Sequence, residues 1–152
     1  RSAIAHVPQN IYLADCSIAE NIAFGINKNN IDIKRMIAAS EKAQLSKYIE
    51  SCPDKYESVV GERGTKLSGG QRQRIGLARA FYRQASVIFL DEATNALDNE
   101  TENLVLECLQ KFSNDLTIVM VAHRLNTLAM CDRIITLSKG SITKINKPSE
   151  IL

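Results

Sequence analysis

The feature that most constrains this chain is a pair of short segments: a glycine-rich helix start at residues 67–71 (LSGGQ) and an apolar strand at residues 87–90 (VIFL) that ends in Asp91-Glu92. A serine and two glycines at a helix start expose backbone N–H groups, and the helix dipole adds a partial positive charge of roughly half a unit there. An anion can therefore approach this end of the helix. Two carboxylates at the end of a buried strand suit a magnesium ion and a water molecule.

The second half of the chain has the pattern of a strand-helix-strand unit. Residues 86–90 and 117–122 are continuous apolar runs, which are typical of parallel strands covered on both faces. Residues 102–112 between them carry apolar side chains at helical spacing. The pattern predicts a βαβ unit with a right-handed crossover.

The flanking segments predict further elements. Residues 3–7 are typical of a strand, which Pro8 ends. Residues 17–52 have helical periodicity. Residues 133–137 and 141–145 predict a terminal hairpin, followed by a last short helix.

Five segments, in the order in which they stand here, closely resemble the ATP-binding cassette (ABC) family. They are Gln9 after an apolar strand, residues 61–64 (GERG), residues 67–71, Asp91-Glu92 with residues 96–98 (ALD), and His123 after a second apolar strand. In that family LSGGQ is the signature motif, and four apolar residues followed by Asp-Glu form the Walker B strand with its catalytic glutamate. The resemblance covers essentially the whole chain.

This resemblance implies an α/β fold with a P-loop NTPase-like (RecA-like) parallel sheet core, present here in part, and an inserted α-helical signature subdomain. Residues 1–9 would be a core strand and the glutamine loop. Residues 10–84 would be the helical subdomain with the signature motif. Residues 85–152 would return to the core with the Walker B strand, the D-loop and the H-loop.

Gln9, Asp91, Glu92 and His123 each follow a predicted strand, so we expect them at one edge of the sheet, where the ligands of parallel sheets bind. Asp91 would hold Mg²⁺ directly or through water, and Gln9 can contact both the metal and the water. Glu92 would polarise or deprotonate the attacking water. His123 would contact the γ-phosphate of ATP and keep that water in line.

In the resembled family the signature motif closes over ATP that is held by a second copy of the domain. Ser68, Gly69, Gly70 and Gln71 would therefore bind ATP in trans, whereas the strand-end residues act in cis. Asp98 would lie at the interface of this head-to-tail dimer. The ligands that the resemblance implies are ATP and Mg²⁺.

The sequence contains no phosphate-binding loop of the form Gly-x-x-x-x-Gly-Lys-Ser/Thr. The one glycine pair at that spacing, Gly64 and Gly69, continues as Gly70-Gln71, where lysine and a hydroxyl residue are required. In the family this loop and an adenine-stacking aromatic precede the glutamine. We therefore expect the chain to be the C-terminal portion of a longer domain and to be inactive in isolation.

Two segments resemble the exporter branch of the family: residues 60–64 (VGERG) look like the loop that contacts transmembrane helices, and Tyr12-Leu13 with residues 17–22 match the segment after the glutamine. This implies ATP hydrolysis that powers export. The expected partners are a transmembrane domain, on the same polypeptide, and a second nucleotide-binding domain. The expected location is the cytoplasmic face of the cell membrane. The sequence of this segment does not identify the transported substrate.

Composition excludes several classes of function. Among 152 residues, 45% are hydrophobic and 24% charged, an ordinary globular balance. The longest apolar run, residues 118–122, is too short to span a bilayer, and a net charge of +2 is too small to indicate nucleic acid as a partner. The four cysteines are widely spaced and predict reduced, structural thiols rather than a metal site: Cys16, Cys52, Cys108 and Cys131.

Two other functions remain open from the sequence. A DNA-repair or chromosome-organising ATPase shares the signature motif, but its long heptad segments and basic DNA-binding face are not visible here. The second open function is a catalytically silent interaction module that docks on another cassette. The residues also have structural readings: Asp91 and Glu92 as helix caps, Gln9 as a turn residue, and Arg72, Arg79 and Arg83 as a solvated or interfacial stripe.

Overall fold

A computed structural model describes residues 4–92, 99–112, 116–122 and 124–151. The strands and α-helices follow in the order β1 (Ile4–Val7), α1 (Ile18–Ile22), α2 (Ile33–Lys42), α3 (Ser46–Ser51), α4 (Gly69–Tyr82), β2 (Val87–Asp91), α5 (Asn99–Phe112), β3 (Thr117–Val121), α6 (Leu125–Ala129), β4 (Ile134–Ser138) and β5 (Ser141–Asn146). Short 3-10 helices cover Lys28–Asn30, Lys55–Glu57, Glu62–Gly64 and Pro148–Glu150.

In the described part of the chain, β1, β2 and β3 form one sheet with β2 in the middle. β1 and β2 run parallel, with Ile4 opposite Val87 and Val7 opposite Leu90. The helix α5 follows β2 and precedes β3, as the strand-helix-strand pattern predicts. The predicted α/β fold with a parallel sheet is confirmed.

Among the residues that the structure describes, the sheet is covered on one face only, which corrects the expectation of strands buried on both faces. Alternate residues of β1 and β2 are buried in one core with side chains of α4 and α5: Ala5, Val7, Ile88, Leu90, Ile75, Leu77, Val105 and Leu109. The other face is open: Ile4 of β1 is 56% exposed, Phe89 of β2 42% and Val119 of β3 41%. A continuous apolar run allows either arrangement, because what packs on each face is decided outside the strand.

The region between β1 and β2 is helical, as predicted. The longest of its helices, α4, packs against α1 and α2 and also contacts β1. Its residues Ile75, Leu77 and Ala78 are almost fully buried. This places the helix that carries the signature motif directly against the strand that precedes Gln9.

Residues 121–152 form a compact unit of their own. The antiparallel pair β4 and β5 confirms the predicted hairpin, with Ile135 opposite Ile145. Its turn uses Lys139 at φ 49° and Gly140 at φ 76°, the left-handed conformations that tight hairpin turns need. Nothing in the described ranges is both long and apolar enough to be a membrane-spanning helix.

Candidate functional site

The signature motif begins α4 with a reciprocal cap. Ser68 is the N-cap: its hydroxyl accepts a hydrogen bond from the Gln71 backbone N–H at 3.1 Å, and the Gln71 side-chain Oε1 accepts from the Ser68 backbone N–H at 2.8 Å. The N–H groups of Gly69 and Gly70 lie in the first turn, where a helix offers no partner of its own. The first turn carries no acidic side chain, and Ser68 is exposed. Backbone N–H groups at a helix start are a common anion site, and phosphate binding by this one stays a prediction.

The loop before the signature motif is shaped by two glycines and an arginine. Gly61 and Gly64 have φ of 79° and 72°, and a Cβ on Gly64 would lie 2.6 Å from Leu13 Cδ1. Arg72 Nη1 donates to the Leu67 carbonyl at 2.9 Å and to the Gly64 carbonyl at 3.4 Å. Residues 61–64 are therefore packed between the segment after Gln9 and the signature helix.

The acidic pair lies where the sequence predicts it, at the carboxyl end of β2. Because Val7 is opposite Leu90 in parallel strands, Gln9 and Glu92 each lie two residues beyond a registered pair. They are therefore brought to the same edge of the sheet. Asp91 is exposed and Glu92 is half-buried. Glu92 has a left-handed backbone, with φ 48°, which is uncommon for a residue with a side chain.

Gln9 also borders the signature helix. It lines a cleft of about 250 Å³ together with Asn10, Ile11, Arg63, Gly69, Arg72 and Gln73. The side-chain Nε2 of Gln73 donates a hydrogen bond to the Gln9 backbone carbonyl at 2.6 Å. The structure therefore brings the glutamine loop close both to the strand that carries the acidic pair and to the start of the signature helix.

The oxygen donors at this edge fit the expected ligands. Asp91 offers an exposed carboxylate and Gln9 an exposed side-chain amide, and Mg²⁺ is commonly held by one or two protein oxygens with water and substrate phosphates completing its shell. No group of three or more His, Cys, Asp or Glu side chains able to bind a metal occurs in the described ranges. The donor set thus fits a metal that arrives with a phosphate ligand.

Arg72 and Arg79 of α4 are hydrogen-bonded to backbone carbonyls, which corrects the reading of these two side chains as solvated, whereas Arg83, just after the helix, is exposed. Arg79 donates from Nε to the Asn21 carbonyl at 2.6 Å and from Nη1 to the Tyr12 carbonyl at 2.7 Å. Its guanidinium lies over the Phe24 ring at 4.6 Å. Burial lowers the pKa of Arg79 to about 10, so it is still charged at neutral pH. The segment after Gln9 is thereby held to α4.

Two of the predicted site residues, Asp98 and His123, lie outside the described residues, so their roles stay predictions. The four cysteines are free. Burial raises the pKa of the Cys108 thiol to about 11, which keeps it protonated at neutral pH. Gln73 and Arg79 are residues that the sequence reading did not assign to the site. The signal available was the apolar neighbourhood of Gln73, which shares one face of α4 with Gly76, Leu77 and Ala80 at three- and four-residue spacing, all of them buried.

The family model described as ABC transporter matches residues 1–95. The chain is 43% identical over its full length to ATP-binding cassette sub-family B member 5 of Mus musculus and covers 12% of that protein. It is 41% identical over its full length to a putative multidrug export ATP-binding/permease protein of Bacillus subtilis (strain 168) and covers 26% of it.

A solved structure titled as a bacterial Atm1-family ABC exporter with ATP bound has the same fold. The TM-score is 0.88 at 34% sequence identity, over 98% of this chain and 26% of that one. The chain thus spans about an eighth to a quarter of the length of these relatives.

Proposed function

Because this chain belongs to the ABC transporter family, we propose that it is part of the ATP-hydrolysing domain of an ABC exporter. The observation that carries the proposal is the parallel register of β1 and β2, which brings Gln9 to the same sheet edge as Asp91 and Glu92. The Gln73 hydrogen bond adds the signature helix to this arrangement. A relative whose printed name combines ATP-binding and permease supports the link to export.

In the proposed reaction, Glu92 acts as the general base that polarises or deprotonates the attacking water. Its half-buried position at the strand end suits that role. Gln9 orients the same water, and His123 contacts the γ-phosphate. Asp91 and Gln9 would hold Mg²⁺, which supplies charge neutralisation on the phosphates when bound. The contribution of these side chains is positioning and electrostatic stabilisation, which account for most of the catalysis of phosphoryl transfer.

We further propose that the signature motif serves the nucleotide of a second domain. Ser68, Gly69, Gly70 and Gln71 would contact the phosphates in trans through the exposed start of α4. Asp98 would lie at the interface of the head-to-tail dimer. The phosphate-binding loop would be supplied by a preceding part of the protein, so that residues 1–9 and 85–152 complete a core into which residues 10–84 are inserted.

The proposed partner is the transmembrane domain of the exporter, on the same polypeptide, at the cytoplasmic face of the cell membrane. The supporting feature is an aromatic pair after Gln9. Tyr12 is 63% exposed and meets Phe24, which is 38% exposed, edge to face with ring centroids 6.3 Å apart. Arg79 holds both of their backbone segments to the signature helix. Exposed aromatic side chains on a fixed backbone are typical of a protein interface.

The test is Glu92→Gln in the full-length protein that carries this chain. The amide keeps the shape of the side chain but cannot accept a proton, so ATP binding should persist while hydrolysis falls by more than about a hundredfold. Binding and phosphate release are measured on the same preparation. Glu107→Gln is the matched control, because Glu107 is exposed on α5, and it should hydrolyse ATP normally. Normal turnover by Glu92→Gln would exclude Glu92 as the base.

A further inference from the structure

Gln73 is a buried amide whose nitrogen is hydrogen-bonded and whose oxygen is not. It is 4% exposed, and its Nε2 donates to the Gln9 carbonyl at 2.6 Å. Its Oε1 is buried without a hydrogen-bond partner in the described part of the chain. A buried amide that is only half satisfied costs free energy that an apolar side chain of the same shape would avoid. Packing alone therefore does not explain a glutamine at this position.

A second contact lies one helical turn further along α4. A Cβ on Gly76 would meet Ile11 Cδ1 at 2.6 Å and Val7 Cγ1 at 3.2 Å. The absence of a side chain at Gly76 thus lets the end of β1 and the residue after Asn10 approach the helix closely. Gln73 and Gly76 together fix the glutamine loop on both sides of Gln9.

We infer that Gln73 is a positioning residue, which holds the loop of Gln9 to the signature helix so that the two move as one unit. Ser68 begins the same helix, so a displacement of Gln9 is transmitted through the Gln73 hydrogen bond to the signature motif. This inference rests on the proposed function, in which Gln9 acts on the attacking water. It adds a residue that acts through the position of Gln9.

The first variant that tests this is Gln73→Met, which keeps the length of the side chain and removes the donor. Loss of the hydrogen bond leaves the Gln9 loop less well placed in the transition state, while binding of ATP is unaffected. We expect kcat to fall roughly three- to tenfold with KM unchanged, the signature of an interaction that acts in the transition state. Gln110→Met, at an exposed position of α5, is the control and should keep the kcat of the unmodified protein.

The second variant is Gln73→Glu, whose carboxyl group gives a readout that packing does not move. Burial favours the neutral form of such a carboxyl group, whereas the guanidinium groups of Arg63 and Arg72, which line the same cleft, favour the ionised form. Only the neutral form can donate to the Gln9 carbonyl, so the ratio of its kcat to that of the unmodified protein should rise as the pH falls through the pKa of the introduced group. The corresponding ratio for Gln73→Met should stay flat.

Both variants are measured in the full-length protein beside Glu92→Gln, with the thermal midpoint recorded for each. A kcat for Gln73→Met equal to that of the unmodified protein would overturn the inference. So would a pH-independent ratio for Gln73→Glu, because the side chain would then act through packing. Retained turnover by Glu92→Gln would instead overturn the proposed function itself, whatever Gln73 does.

Discussion

Glu92 has a backbone conformation that its side chain does not favour. With φ 48° it lies in the left-handed region, which costs a residue with a Cβ about 1 kcal/mol relative to glycine. It is the residue directly after β2. Strain of this kind is typical of positions where function, rather than stability, selects the residue.

This strain predicts opposite behaviour of two Glu→Gly variants. Glu92→Gly relieves the left-handed strain, whereas Glu107→Gly places a glycine in the interior of α5 and should cost about 1 kcal/mol in the free energy of unfolding. Glu92→Gly should therefore be the more stable of the two by at least about 1 kcal/mol, although it hydrolyses no ATP. Thermal unfolding of the full-length variants measures this difference in stability. Equal destabilisation by both would show that Glu92 is not strained.

The short helix α1 is stabilised by its N-cap residue, Ser17, which directly precedes the helix. The Ser17 hydroxyl accepts from the Glu20 backbone N–H at 3.2 Å, and Glu20 Oε2 accepts from the Ser17 backbone N–H at 3.1 Å and from its hydroxyl at 2.8 Å. The hydrogen bond from the Ser17 side chain is the main cause that lowers the pKa of Glu20 from 4.5. The ionised carboxylate is therefore favoured by the folded state.

The cap predicts a stability difference that depends on pH. Ser17→Ala should lower the free energy of unfolding by about 1 kcal/mol at neutral pH. Glu20→Gln should lower the free energy of unfolding by its full amount above the ordinary carboxyl pKa of 4.5. This decrease should disappear as the pH falls through the lower pKa that Glu20 has in the folded protein. Thermal unfolding against pH measures both. A difference that grew as the pH fell would contradict this assignment of the cap.

The elements that sequence could predict are those specified locally. The start of α4 follows from a serine N-cap with a glutamine three residues on, and β2 follows from an apolar run that ends in two acids. The bond between Gln73 and Gln9 joins residues 64 apart, and those of Arg79 reach across a similar distance. Periodicity does not reveal such pairs, so the hydrogen bonds of Gln73 and Arg79 could not be predicted from it.

At the scale of the whole chain, the sheet shows where prediction from sequence stops. The α/β class could be predicted, because the apolar runs of β2 and β3 and the helix between them are local patterns. The parallel pairing of β1 with β2 agrees with the parallel core that the family resemblance implies. Whether the second face is buried or exposed could not be predicted, since this depends on which other segments pack against it. In the candidate site, Gln9, Asp91 and Glu92 lie at one edge of the sheet, as expected of residues that follow parallel strands, and their roles stay predictions, as do those of Asp98 and His123.

Mixed dimers of the full-length protein test whether Ser68 acts on the nucleotide of the other copy while Glu92 acts on that of its own. In one dimer, one copy carries Ser68→Arg and the other carries Glu92→Gln; in the second dimer, one copy carries both changes. If Ser68 acts in trans and Glu92 in cis, the first dimer keeps one intact site and the second keeps none. Single-turnover ATP hydrolysis should therefore persist in the first dimer and be lost in the second. Hydrolysis by the second dimer alone would show that both residues serve the same copy's nucleotide and would contradict the proposed mechanism.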